Sequence, residues 1–314
     1  MTVISRGGYN ADNQLTLWGS QGFLYDLNGN MTADGNNAYS WNVRNQLVAL
    51  TPDGGTADTF VYDAFGRRQK KVINGTETDF LFDQNGNLAA ELTDGGEYFT
   101  STDLSGFGAD ELVCRYTAGV DGGLNQPLMA LTDINGSVVG LVADGGVIQA
   151  TYAYEPYGAT QASGTDDGNS QQFTGRENDG TGVHYYRARY YMPEVGRFLG
   201  EDPIGFSGGI NMYMYAAANP EKVNDPTGLD PAIDTCTANP GQCTTYPPQY
   251  DPNLQKLVNV IKLCLPALLN KKQCNCFCGG GGTLSGDGSN KVKNQYACQG
   301  YCDTNYPGTL GICK

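Results

Sequence analysis

Apolar and polar residues alternate along much of the first half of the chain. In "TDFLFDQNGNLAAEL" (78–92), apolar residues recur at every second position on parts of both sides of Asn85-Gly86. A period of two is the strand period, because successive side chains of a strand leave on opposite faces. An Asn-Gly pair between two such runs predicts a hairpin, since both residues tolerate the positive φ of a tight turn. The same plan recurs in "YDLNGNMT" (25–32), "YDAFGRR" (62–68) and "TDINGSVVGLV" (132–142). Hairpin turns are therefore predicted at 28–29, 85–86 and 135–136, with Asp accepting backbone hydrogen bonds in the turn. One hairpin cannot bury a core, but a row of them can stack into a continuous sheet. Residues 1–229 are predicted to be almost wholly β, with little helix.

Helical spacing is confined to the last third. Pro252 fits the first helical position after Asp251 as N-cap, and Leu254, Leu257, Val258, Ile261 and Leu265 follow at helical intervals. Pro266 ends or kinks that helix. The stretch "GGGGTLSGDGSN" (279–290) predicts a flexible loop. The longest apolar run, Leu257 to Leu269, is too short and too interrupted to span a bilayer. No signal peptide is visible in "MTVISRGGYNADNQ".

Composition sharpens the division. The chain has 314 residues, with 44 Gly, 20 Tyr, 2 Trp and 1 His, and a net charge of −14. Glycine argues for frequent turns, tyrosine for strands with one wet end. The negative charge excludes nucleic acid held through its phosphates. Residues 230–314 differ: they hold 7 Lys and 5 Asp with no Arg and no Glu. Nine of the 10 cysteines fall there, Cys236, Cys243, Cys264, Cys274, Cys276, Cys278, Cys298, Cys302 and Cys313. That density predicts a disulfide scaffold, a small cysteine-rich domain with one helix, with a thiolate metal site as the rival. The odd count leaves one thiol to pair with Cys114 or another chain, or to react.

Just before the change of composition stands "YRARYYMPEVGRFLGEDPIGFSGGINMYMYAAANPEKVNDPTGL" (186–229), with two copies of Asp-Pro-x-Gly. One is Asp202 to Gly205, the other Asp225 to Gly228. In this order of elements the stretch resembles the core of Rhs proteins. The Tyr-Asp turns before it resemble the YD repeats of Rhs proteins, of teneurins and of the toxin complexes of insect pathogens. The resemblance implies stacked hairpin repeats over 1–160 in a curved or spiralling sheet that forms a partial shell. It implies a core over 161–229 and a variable tail over 230–314. Two departures stand out: Met192 occupies a position that is often Asp, and the chain is far shorter than typical members.

The resemblance also implies self-cleavage between Leu229 and Asp230 by an aspartic pair, Asp202 and Asp225, with Arg197 orienting a carboxylate. The chemistry is sound, because two close carboxylates share one proton, leaving one to activate water and the other to polarise a carbonyl. Read without the resemblance, Asp-Pro-x-Gly is a good turn in its own right. His184, the only histidine, reads as a packed strand residue.

The tail lacks His, Glu and Arg, which removes His-based nucleases, Ser-His and Cys-His nucleophiles and the Glu-dependent zinc deaminases. No cofactor and no metal site is expected. The leading expectation is a Rhs-type polymorphic toxin fragment whose shell and core carry and release a small effector tail. A signal-peptide-independent export route, an immunity protein and a secretion-apparatus adaptor go with it. The alternative is a cell-surface adhesion or carbohydrate-binding protein, with a carbohydrate as its partner.

Overall fold

The computed structural model describes residues 7–229, apart from 84–85, 94, 107–110, 120–123 and 166, together with three strands near the end. The chain divides into two compact units, Met1–Gly241 and Gln242–Lys314. In the first unit, fourteen strands form one antiparallel sheet in strict sequence order, from Leu24–Tyr25 to Thr160–Gly164. A three-stranded sheet (Gly7–Tyr9, Leu15–Trp18, Gln21–Gly22) precedes it. Among the described residues the only helical pieces are 3-10 turns of three or four residues, as at Gly205–Gly208 and Ala216–Ala218.

One turn is built repeatedly. Asp26 Oδ1 accepts the N–H groups of Asn28 and Asn30 at 2.9 and 2.8 Å. Asp63 Oδ1 takes Phe65 and Arg67, both at 2.9 Å. Asp133 Oδ1 takes Asn135 and Ser137 at 2.9 and 2.8 Å, and Asn42 takes Arg44 and Gln46. In each Asp turn only the glycine is left-handed (φ 78° at Gly29, 81° at Gly136), and the ladder slips by one residue beside it. The turns predicted at 28–29 and 135–136 lie where the sequence pattern places them, with Asp accepting within the turn, and each reaches one residue beyond the Asn-Gly pair. They are longer loops with a glycine bulge, because the Asp side chain holds two N–H groups that a tighter turn would leave unmet. Of the predicted turn at 85–86, Asn85 lies outside the described residues.

The aromatic residue before each turn reaches back one hairpin. The Tyr62 hydroxyl donates to the Leu47 carbonyl at 2.6 Å, and the Trp41 indole N–H donates to the Met31 carbonyl at 2.7 Å. Tyr154 does the same to Val138. The acceptor is in each case the first residue after the preceding turn. The Tyr62-Asp63 pair thus fixes its own turn through Asp63 and the neighbouring hairpin through the Tyr62 hydroxyl.

Residues 167–229 pack against this sheet. Val183, Tyr185, Tyr190, Met192 and Leu199 bury against Met31, Tyr39, Leu47, Leu50 and Phe60 from early strands. Phe173, Tyr186, Tyr191, Phe198 and Tyr215 bury against Tyr154 from a late one. Early and late strands of the sheet thus both contribute side chains to this one segment's packing. The segment has its own four-stranded sheet: Glu177–Asn178, His184–Tyr186, Arg189–Met192 and Arg197–Phe198.

His184 packs edge-on to Tyr191 and is 3 % exposed; burial pushes its pKa down to about 4. A depressed histidine leaves the unfolded chain binding more protons between pH 6.5 and about 4, so stability is full above that window and falls as pH drops through it. The expected contribution is roughly 3 kcal/mol. It is measured as the difference between wild type and His184→Phe in urea unfolding at pH 7 and pH 4; a difference independent of pH contradicts it.

Cys114 is a buried free thiol in the strand Leu112–Thr117, with its pKa pushed up to about 11 by burial. In the second unit, Cys274–Gly279 pairs with Asn290–Val292 and with Leu310–Cys313, and Cys276 stands opposite Cys313 in the register. Gly279 and Asn290, the ends of the predicted loop, are strand residues. The predicted helix (251–265) and Cys236, Cys243, Cys264, Cys298 and Cys302 lie outside the described residues.

Candidate functional site

The two Asp-Pro-x-Gly turns meet on one arginine. Asp202 Oδ2 lies 2.9 Å and Asp225 Oδ2 3.2 Å from the same nitrogen of Arg189. Each aspartate spends its other oxygen on its own turn. Asp202 Oδ1 accepts the Ile204 N–H at 3.0 Å, and Asp225 Oδ1 accepts those of Gly228 and Leu229 at 2.8 and 3.2 Å. Proline fixes φ and the motif glycine turns left-handed, at φ 60° for Gly205 and 69° for Gly228. Asp202 is 6 % exposed and Asp225 1 %. The Arg189 guanidinium thus reaches both of the aspartates expected to form the pair.

Arg189 sits on the strand Arg189–Met192 with its guanidinium 3.6 Å from the centre of the Phe198 ring. It also donates to the carbonyls of Met212, at 3.0 Å, and Gly228. Burial pulls its pKa down, and the charges of Asp202 and Asp225 pull it back. An arginine stays charged through such a shift, so it offsets two buried carboxylates at once.

Arg189 is one of three donors to the end of this segment. The Arg176 guanidinium donates to the Pro226 carbonyl and the Ala188 N–H to the Thr227 carbonyl, each at 3.2 Å. With Arg189 on Gly228, three successive carbonyls are held. The next is that of Leu229, and it comes close to Asp202. A Cβ on Gly208 would stand 2.5 Å from Asp202 Oδ2 and 3.0 Å from the Leu229 carbonyl oxygen. Glycine at 208 therefore leaves open the space between carboxylate and carbonyl. Glycine at 228 is needed for a different reason: a Cβ there would stand 2.1 Å from the Tyr186 carbonyl oxygen. Leu229 is half-buried, and Asp230 lies outside the described residues.

Arg197 is elsewhere. Its guanidinium donates to the Asn13 carbonyl and to Asn211 Oδ1, and lies over the rings of Tyr9 and Tyr213. The structure thus brings together Asp202, Asp225 and Leu229, and adds Arg189, Arg176, Ala188 and Gly208. The signal for Arg189 is present in "YRARYY", where Arg189 opens the strand Arg189–Met192 just after the turn at Arg187 and Ala188. Among the described residues no group of three or more His, Cys, Asp or Glu could hold a metal, and no helix is long and apolar enough to cross a membrane.

No protein-family model matches the chain. Curated relatives do. The chain is 30 % identical to the tRNA3(Ser)-specific nuclease WapA of Bacillus spizizenii over 230 residues, which is 70 % of this chain and 10 % of the relative. It is 31 % identical to toxin subunit YenC1 of Yersinia entomophaga, over 62 % of this chain and 22 % of that one. It is 30 % identical to double-stranded DNA deaminase toxin A of Burkholderia cenocepacia, over 71 % and 18 % respectively. In the crystal structure of TcdB2-TccC3, a segment covering 66 % of this chain and 11 % of that one superposes with a TM-score of 0.55 at 25 % identity. The chain spans about a tenth of the length of the WapA relatives it matches.

Proposed function

We propose that this chain is a fragment of a Rhs-type polymorphic toxin, made of YD repeats over 1–160, a self-cleaving core over 161–229 and an effector tail over 230–314. Its relatives are toxins of several kinds. Relatives named for a tRNA nuclease and a DNA deaminase both align with this chain, which supports a shared carrier with exchangeable tails. The observation that carries the reading is the end of the segment. Three carbonyls are held, Asp225 fixes the Leu229 N–H, and the Leu229 carbonyl oxygen and Asp202 Oδ2 flank the same point beside Gly208.

The proposed reaction is hydrolysis of the Leu229–Asp230 bond. Asp202 takes a proton from a water as its oxygen adds to the Leu229 carbonyl carbon. The same proton goes to the Asp230 nitrogen as the C–N bond breaks, leaving a carboxylate on Leu229 and a free amine on the tail. Arg189 pairs with both Asp202 and Asp225, and Asp225 holds the Leu229 N–H. An immunity protein in the producing cell and an adaptor for export belong to this reading as partners.

The toxin reading is tested by growth. The full chain, directed to the cytoplasm or the periplasm of a test bacterium, is expected to arrest growth in one of them, and a chain ended at Leu229 is not. Normal growth with the full chain in both compartments, or equal arrest by the shortened chain, overturns it.

A further inference from the structure

Three buried charged side chains sit together in the middle of the sheet. Glu91 lies on the strand Leu88–Thr93, Asp103 on Tyr98–Ser105 and Arg115 on Leu112–Thr117. The register puts Glu91 opposite Ser101 and Asp103 opposite Arg115. Arg115 Nη2 donates to Glu91 Oε2 at 2.5 Å, and Nη1 lies 3.2 Å from both oxygens of Asp103. The start of the core segment bonds to this group. Gln171 Nε2 donates to Asp103 Oδ2 at 3.0 Å, the Ser170 hydroxyl to Glu91 Oε1 at 3.4 Å, and Arg115 Nη2 to the Gly168 carbonyl at 3.3 Å. Among the described residues no apolar cluster joins residues 167–229 to these three strands, so the polar group makes this part of the attachment.

The charges do not balance. Arg68 and Lys71 match Glu177 and Asp179 one for one, but here two carboxylates share one guanidinium. A buried excess of negative charge is relieved by a proton. Glu91 is the poorer site for it: it has the shorter bond to Arg115, accepts the Ser101 hydroxyl at 2.9 Å, and feels the charge of Lys71. Asp103 has Arg115 at longer range and no exposed side-chain surface. Burial pushes its pKa up to about 7 against the pull of Arg115, and the like charge of Glu91 adds to the rise. Against the same burial, Arg115 and then Lys71 hold Glu91 below the usual carboxylate range. Cys114, beside Arg115 on its strand, is a thiol pushed up to about 11 and stays neutral. Residues 168–172 bring no ionisable side chain, and the Tyr152 hydroxyl meets them through Asn169 Nδ2 at 3.3 Å.

We propose that Glu91, Asp103 and Arg115 are a proton-operated latch: a proton held on Asp103 fastens Ser170 and Gln171 to the middle of the sheet, and its loss loosens them. The proton sits on Oδ1, since Oδ2 takes the Gln171 N–H. Its loss sets two buried carboxylates against one guanidinium. A carboxyl whose value is raised on folding leaves the latched chain binding more protons than the unlatched one. The attachment is therefore full below the ordinary carboxylate range and weakens as pH rises to about 7. This sense is opposite to that of His184, and the latch is independent of cleavage after Leu229.

Two measurements on the full chain test it. The first is the carbon-13 shift of the Asp103 carboxyl carbon as pH is raised. A midpoint near 7 is expected, and Glu91→Gln, which balances the charges, is expected to lower it to about 5 or below. The second is hydrogen exchange at the amides of Val138 and Gln172, which donate to the carbonyls of Gln172 and Arg176 at 3.1 and 3.0 Å. Their protection, relative to a free peptide at the same pH, is expected to fall roughly tenfold or more between about pH 5.5 and pH 8. In Asp103→Asn, whose side chain mimics the protonated form, it is expected to stay level. A midpoint in the ordinary carboxylate range, a midpoint that Glu91→Gln does not move, level protection in wild type, or an equal fall in Asp103→Asn overturns the proposal.

Discussion

Replacing Arg68 by Met lowers the melting temperature of the first unit by roughly 10 °C. Arg68 is fully buried and ion-paired to Glu177 and Asp179, and Lys71 reaches Asp179 at 2.7 Å. The rings of Tyr185, Phe80 and Phe60 surround its guanidinium at 4.4, 5.1 and 5.6 Å. Burial works against the charge on Arg68, and Asp179 and Glu177 outweigh it, so the pKa lies above the usual arginine value. Asp179 is held well below the usual carboxylate range against the same burial penalty, by Arg68 and then Lys71. Removing the cation leaves Asp179, which has no exposed side-chain surface, with Lys71 alone to offset its charge. Breaking a buried pair in this way costs about 3–5 kcal/mol, and each kcal/mol is worth about 2–4 °C in a unit of this size. Met fills the volume, so the loss is electrostatic. Adding Asp179→Asn to the variant recovers part of it. A shift below about 2 °C in a calorimetric scan, or no recovery in the double variant, contradicts this account of how the sheet is clamped to the core.

Asp202→Asn slows splitting after Leu229 by roughly 10²–10⁴-fold, the usual loss when a general base is removed. The Asn side chain still accepts the Ile204 N–H, so the turn is kept while the base is lost. Asp225→Asn also keeps its turn bonds, but it takes one of two charges from Arg189 and slows the reaction less. Arg189→Gln stops it and Arg197→Gln does not, because the two arginines serve different ends of the segment. Time courses on denaturing gels check all four. Equal rates for Arg189→Gln and wild type would remove Arg189 from the reaction.

The turn plan and the pair of aspartates were legible in the sequence because each is local. Asp26, Asp63 and Asp133 bond to groups within four residues, and the motif around each names its partners. The register slip beside each turn is not legible, since an Asn-Gly pair does not say how far past the glycine the turn reaches. Arg68 was not legible. It lies in "GRRQKK", which reads as a solvated edge, and its carboxylates are 109 and 111 residues away. Arg115 shows the same blindness: it is buried between Glu91 and Asp103 on neighbouring strands of the sheet. Arg189 escaped notice because the motif offers three arginines, and only the folded segment shows which faces both turns. The approach of Leu229 to Asp202 depends on Gly208, whose lack of a side chain carries no sequence signal among so many glycines.

The central claim is that this chain cuts itself after Leu229. The direct measurement is the mass of the purified wild-type chain after denaturation, beside that of Asp202→Asn. Two wild-type fragments that join at Leu229–Asp230, with a single full-length mass for Asp202→Asn, are the predicted result. A single full-length mass for wild type, or identical splitting in Asp202→Asn, contradicts it. So does a break one residue later, at the acid-labile bond between Asp230 and Pro231.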